Sequence, residues 1–292
     1  MTTNGLKTAL LLGGLTGVLL LLGYWIGGES GLVMGFLFAA VMNMGAYWFS
    51  DRIALRMGGA REVSEAEAPE LHALVANLAQ VSGLPKPRVA IIQSEAPNAF
   101  ATGRNPQNAV VAVTTGILQI LEPRELSAVL SHELGHVRNR DILIGAVAAT
   151  MAGAVTMIAQ MGHYTMMFGG RGGDDDEGRG GIFTALLMLI LAPLAAMLIQ
   201  LAISRSREFG ADETGAKLSG DPEALARALE KLEAYSKKIP LPVNPAVSHL
   251  FIVAPLTGVS VQKLFSTHPP VAERVARLRE LAKQILAPRR AG

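Results

Sequence analysis

Four long apolar runs stand out, none with a charged residue: Thr8–Ile26, Leu32–Phe49, Ile142–Phe168 and Ile182–Ile203. Each is close to the length that crosses a ~30 Å hydrocarbon core at ~1.5 Å per helical residue. The first two are separated only by Gly27-Gly28-Glu29-Ser30-Gly31, and the last two by the Gly/Asp-rich segment 169–181. The pattern predicts two transmembrane hairpins. A cleaved signal peptide fits the first stretch poorly: its apolar run is too long, no small-x-small site follows, and a second span begins at once.

Between and after the hairpins the pattern changes to short amphipathic periods. Pro69–Ser82 reads as a helix stopped by Gly83 and Pro85. Strands are expected at Arg88–Gln93, Ala99–Thr102 and Ala109–Thr114, with the turn Gly103-Arg104-Asn105-Pro106 before the third. A helix follows that carries Pro123 in its first turn and Leu126, Val129, Leu130 and Leu134 on one side. Further helices are predicted over Asp221–Lys238 and over Pro270–Leu286, where Val271, Val275, Leu278 and Leu281 keep register.

Loop charges orient the hairpins. Arg52, Arg56 and Arg61 follow the second stretch, Arg138 and Arg140 precede the third, and Arg205 and Arg207 follow the fourth. The 169–181 loop instead carries Asp174, Asp175, Asp176 and Glu177 against Arg171 and Arg179. The bias of Lys and Arg in short loops puts the three arginine-bearing flanks, and with them both termini, in the cytoplasm.

Composition agrees and narrows the chemistry. Of 292 residues, 50% are hydrophobic and only 17% charged, more apolar than an ordinary soluble domain. A net charge of +2 gives no footprint for nucleic acid. With no cysteine, disulfides, thiolate metal sites and a cysteine nucleophile are excluded. A metal must be held by carboxylates and by the six histidines, His72, His132, His136, His163, His249 and His268.

His132-Glu133-Leu134-Gly135-His136 falls inside a predicted helix. Imidazoles at i and i+4 share one helix face and can hold one zinc ion, with Glu133 beside its open position as proton acceptor and later proton donor. A catalytic zinc takes a third protein ligand, for which the candidates are Glu208, Asp212, Glu213, His249 and His268. The hairpin discriminates among them. His136 lies six residues before the third stretch and Glu208 five residues after the fourth, so an antiparallel pair of spans returns Glu208 to the depth of His136. Asp212, four residues on along the same helix, is then suited to support a ligand histidine.

The stretches Pro97-Asn98-Ala99-Phe100-Ala101-Thr102-Gly103, Leu130–His136, Arg207-Glu208-Phe209-Gly210-Ala211-Asp212 and Thr267-His268-Pro269-Pro270, in this order and with four spans, resemble the HtpX family of heat-shock membrane metalloproteases. The resemblance runs over nearly the whole chain. It implies an endopeptidase of the bacterial inner membrane acting in membrane-protein quality control, on misfolded or damaged membrane proteins and together with other proteases of that system. It also implies one Zn²⁺ on His132, His136 and Glu208, and Glu133 as base. The strand Asn98–Thr102, with Asn98, Ala99 and Phe100, would line the cleft, and His268 would lie close by. Gly210 departs from the pattern, since family members often carry a larger residue there.

The expected fold class is α+β: a multi-span helical membrane protein with a zincin-like cytoplasmic catalytic domain, built from a small antiparallel or mixed sheet and the zinc-motif helix. Its parts are a hairpin over 1–49, the first half of the catalytic domain over 50–141, a hairpin over 142–203 and the second half over 204–292. Two other readings fit part of the pattern. A prenyl-protein processing peptidase shares the motif set but has more spans. A zinc-stabilised membrane adaptor without turnover has no use for Glu133.

Overall fold

The structure is a computed structural model and describes residues 3–150, 205–239, 247, 250–253 and 269–286. Its first element, α1 (Thr3–Met57), is helical throughout except at Gly27 and Gly28, where φ reaches 58° at Gly28. That left-handed value suits glycine and lets the chain double back. The two arms then meet closely: a Cβ added to Gly23 or Gly31 would collide with the other's carbonyl, and one added to Gly35 would sit 2.6 Å from the Leu19 oxygen. Asn43 Nδ2 donates to Thr16 Oγ1 across the arms at 2.8 Å. Small residues and a polar pair at the contact are how apolar helices associate without a hydrophobic driving force between them. The arm Gly27–Met57 is the helix among the described residues that is long and apolar enough to cross a membrane. The stretches 151–168 and 182–203 lie outside the described residues.

A four-stranded mixed sheet follows, formed by β1 (Ala60–Glu62), β2 (Arg88–Ile92), β3 (Ala99–Thr102) and β4 (Val110–Thr114), in the order β1-β2-β4-β3. β2 and β4 are parallel, in register from Arg88 opposite Val110 to Ile92 opposite Thr114, and both outer pairings are antiparallel. β4 is buried along its whole length, as the run Val-Val-Ala-Val-Thr of a strand covered on both faces should be. Alternation sorts the side chains into two layers. Val89, Ala99, Ala101, Val111 and Val113 face one core, while Ala90, Ile92, Phe100, Val110 and Ala112 face the other.

The first core is roofed by helices: α2 (Pro69–Ser82), α3 (Thr115–Ile120), α4 (Pro123–Arg138), α6 (Arg205–Ser219), α7 (Pro222–Ser236) and α8 (Val271–Leu286). α5, over residues 142–150, continues beyond α4 and packs Ile144, Val147 and Ala148 against Leu12 and Leu19 of the first arm. The second core joins Leu55 at the end of α1 to Val247 and Phe251. Local chemistry sets the helix ends. Gly83, at φ 66°, closes α2. Asp221 accepts from the Ala224 N–H at the start of α7. The Glu122 N–H donates to Glu125 at the start of α4, and Lys231 and Arg227 flank that buried carboxylate.

α4 and α6 pack unusually close. A Cβ on Gly215 would stand 2.7 Å from the backbone N and Cα of His132, and one on Gly135 would stand 3.1 Å from the Ala211 oxygen. Gly210, by contrast, faces open space. Its departure from the family pattern therefore leaves the helix contact untouched. Gly210→Ala should raise stability by ~0.5–1 kcal/mol through helix propensity alone. Gly215→Ala should lower it by roughly 1–3 kcal/mol through overpacking. Thermal unfolding of the two variants side by side checks this, and equal shifts of the same sign would contradict it.

Candidate active site

α4 brings His132 and His136 onto one face, their rings 4.8 Å apart between centroids and nearly perpendicular. The close crossing of α6 sets Glu208 against both: Glu208 Oε1 is 3.6 Å from His136 Nε2, and Oε2 is 4.0 Å from His132 Nε2. One ligand atom from each of the three residues lies within 4.8 Å of the other two. At bond lengths of ~2.0–2.1 Å, tetrahedral zinc ligands stand roughly 3.3 Å apart, so a small inward movement suffices to close the set on an ion. Two imidazoles and a carboxylate also form the donor chemistry that suits zinc.

Each histidine is held by its far nitrogen. His132 Nδ1 is 2.9 Å from Asp212 Oδ1, and His136 Nδ1 is 3.2 Å from Asp141 Oδ2. An imidazole whose Nδ1 proton is held by a carboxylate binds a metal through Nε2, the nitrogen that faces Glu208 in both residues. The Asp141 contact depends on a turn. Arg140 takes φ 58°, which folds the chain back so that the Asp141 N–H donates to the His136 carbonyl at 2.9 Å. Left-handed backbone is rare outside glycine, asparagine and aspartate, and here it aims a carboxylate.

Arg274 of α8 completes the cluster. It is fully buried, and its Nε and Nη2 donate to the two oxygens of Asp212 at 2.8 and 2.7 Å. Nη1 donates to the Ile252 carbonyl at 3.1 Å and lies 3.8 Å from Glu208 Oε2. Burial works against ionisation of Asp212, yet Arg274 and His132 hold its carboxyl down at about 2. The fork therefore fixes the acceptor of His132 as a charged carboxylate at any physiological pH. Removing one side of such a buried pair costs roughly 3–5 kcal/mol, because the other charge is left without a partner.

Glu133 is 2% exposed. Burial pushes its carboxyl upward, the two histidines oppose this, and Glu208 adds to the rise. A carboxylate brought toward neutrality can both take and return a proton. The Ala101 N–H of β3 favours its charged form. His136 is also raised, to about 9: burial alone would lower it, but the hydrogen bond to Asp141 and the charges of Glu208 and Glu133 outweigh that.

The residues singled out in the sequence fall into four groups. His132, Glu133, His136, Glu208 and Asp212 come together in one buried cluster. Asn98 precedes and Ala99 opens β3, the edge strand, where Asn98 Nδ2 donates to the Val253 carbonyl at 2.7 Å and the Ile252 N–H donates to the Ala99 carbonyl at 3.0 Å. The Phe100 side chain faces the opposite layer and packs on Phe251 at 5.0 Å between ring centroids. Glu213 is exposed and pairs with Lys217. His72 is buried in a contact with the Val63 carbonyl, away from the cluster. His163, His249 and His268 lie outside the described residues. Sequence reasoning missed Asp141 and Arg274. Arg274 had a signal: it sits between Val271 and Leu278 at i+3 and i−4, a charge on the apolar face of α8.

A profile of peptidase family M48 matches residues 65–282. The chain is 55% identical over 284 residues to the protease HtpX homolog of Persephonella marina, covering 96% of this chain and 98% of that one. It is likewise 55% identical over 281 residues to the protease HtpX homolog of Thermococcus kodakarensis, covering 96% of this chain and 97% of that one. Among solved structures, Ste24p of S. mikatae matches with a TM-score of 0.50 at 22% identity, covering 94% of this chain and 64% of that one, a likeness of fold.

Two outcomes follow from the cluster. A cation entering between the ligand atoms must displace the proton held on His136, so apparent Zn²⁺ affinity should fall as pH falls, about tenfold per unit below pH 9. Calorimetric titration in buffers of different ionisation enthalpy should show about one proton released at pH 7; none released would contradict a proton held on His136 in the metal-free site. Asp141→Asn should weaken Zn²⁺ binding by roughly 10–100-fold while leaving thermal unfolding nearly unchanged.

Proposed function

The chain belongs to peptidase family M48 and is a metalloprotease; from that premise we propose that it is a membrane-embedded, zinc-dependent endopeptidase that degrades misfolded or damaged membrane proteins from the cytoplasmic side. The observation that carries this reading is the meeting of Glu208 with His132 and His136 beside the buried Glu133. A structural metal site has no need of a carboxylate with a raised pKa at that position.

In this reading His132, His136 and Glu208 hold the ion, one per chain. When bound, the ion supplies Lewis acidity that makes a water molecule easier to deprotonate and the scissile carbonyl easier to attack. Glu133 accepts the water's proton on its carboxylate and passes it to the departing amine nitrogen, serving as base and then as acid. Asp212 and Asp141 keep the Nδ1 protons of the two histidines in place, and Arg274 keeps Asp212 charged. The buried surroundings keep bulk water from competing for these groups.

Substrate choice follows from β3. An extended peptide added to an edge strand binds through main-chain hydrogen bonds that do not read sequence, as suits an enzyme of varied unfolded clients. The outward carbonyl of Ala99 already accepts from Ile252, so a peptide on that edge takes the place of this contact. Membrane embedding is supported by the apolar arm Gly27–Met57, and the cytoplasmic side by the arginines that follow the second stretch, precede the third and follow the fourth. HtpX-named relatives at 55% identity over nearly the full chain support the quality-control role.

Detergent-purified protein loaded with zinc should cleave casein, and Glu133→Gln should retain its zinc while losing roughly 10²–10⁴-fold in rate. Metal analysis and cleavage are measured on the same samples. Turnover preserved in Glu133→Gln would refute the role of that residue. A zinc-loaded wild type that cuts a prenylated peptide but no unfolded protein would overturn the quality-control assignment.

A further inference from the structure

We propose that the protein carries a binding site for the phosphate headgroup of an anionic phospholipid, formed where the end of α1 meets the sheet. The proposal rests on the reading of α1 as membrane-spanning. A cavity of ≈ 530 Å³ opens there, lined by Met44, Trp48, Phe49, Asp51, Arg52, Arg88, Arg104 and Asn108. It has two chemically distinct walls. Met44, Trp48 and Phe49 are each at least half exposed and continue the apolar flank of the spanning arm. The other wall carries three guanidinium groups and one carboxylate.

The carboxylate is already taken. Arg88 pairs with Asp51 and also with Glu62. Among the described residues neither Arg52 nor Arg104 pairs with a carboxylate; aromatic rings hold them instead. The Arg104 guanidinium lies 4.7 Å from the Trp48 ring centroid, donates to the Trp48 carbonyl at 3.3 Å and reaches Asn108 Oδ1 at 3.1 Å. Arg52 lies 6.0 Å from the Phe49 ring centroid. These contacts position Arg104, set Arg52 beside Phe49 and leave the charge of both unneutralised. A guanidinium fork matches a phosphate geometrically as well as electrically.

The occupant follows from the pairing of walls. A free phosphate would use the arginines and gain nothing from Met44, Trp48 and Phe49. A phospholipid uses both, its phosphate between Arg52 and Arg104 and its upper acyl chains against the apolar residues. Tryptophan and phenylalanine followed at once by arginine is also the order of side chains expected at the cytoplasmic membrane boundary. A net anionic lipid is preferred over a zwitterionic one because a choline or ethanolamine ammonium would meet the same arginines. Lipid bound here would fix the tilt of the catalytic domain, since Arg104 belongs to the loop between β3 and β4 and β3 runs beside Glu133.

The test uses full-length protein in vesicles, in a Trp25→Phe background so that Trp48 is the reporting fluorophore. Brominated phosphatidylglycerol is compared with brominated phosphatidylcholine as quencher at equal mole fraction. Phosphatidylglycerol should quench preferentially, by about fivefold for each arginine engaged, and the double variant Arg52→Gln, Arg104→Gln should abolish the preference. Inorganic phosphate should not reverse the quenching. Equal quenching by both lipids, preference retained in the double variant, or displacement by inorganic phosphate would each overturn the proposal. Alkaline extraction of the same vesicles separates the two levels: protein stripped from the lipid refutes the spanning reading and the site with it, whereas protein retained without lipid preference refutes the site alone. Casein cleavage in detergent should be unchanged in the double variant.

Discussion

Backbone contact between α4 and α6 is the constraint on which the rest of the molecule depends. Packed helices ordinarily stand 8–10 Å apart, separated by their side chains. Here Gly215 lies against the backbone of His132 and Gly135 against that of Ala211, so the two helices meet with nothing between them. That proximity lets a short glutamate side chain from one helix reach two imidazoles of the other. The sheet, α2 and α7 serve this crossing by burying it, and the wholly buried β4 provides the floor.

The cluster so formed is electrostatically unbalanced. Taken as ionised, Glu133, Glu208, Asp212 and Asp141 face the guanidinium groups of Arg274 and Arg207, leaving two negative charges that a divalent cation offsets. The raised pKa of His136 expresses the same excess of negative charge, whereas Glu133 is raised first by its burial and further by Glu208. Arg274 and Asp212 form the fixed part of the arrangement, and the metal ligands and Glu133 the adjustable part.

Much of this could be read from the residues. α2 spans Pro69–Ser82, the span expected from Gly83 and Pro85, and the three expected strands appear within a residue of their expected ends. β1 and α3 were missed because three and six residues carry too little periodicity to register. The pairing β1-β2-β4-β3 depends on long-range contacts that no local pattern encodes. In the site, Glu208 was one of five candidates for a third ligand, and it does lie 3.6 Å from His136 Nε2, while the hairpin from which its depth was argued lies outside the described residues. Asp141 was invisible because its approach depends on the left-handed turn at Arg140, a residue type that does not announce such a turn. Phe100 illustrates a limit of motif reasoning: it belongs to the same short stretch as Asn98 and Ala99, yet strand alternation sends its ring to the other layer.

The support of His132 by Arg274 joins residues 142 positions apart, with every other member of the cluster lying between them in sequence. Synthesis proceeds from the amino end, so a nascent polypeptide carries its zinc motif long before the guanidinium that holds Asp212 has been translated. A chain abandoned upstream of α8 therefore has the ligands without the clamp that keeps them in order. For a protease, this timing withholds competence from copies of itself that are still being made.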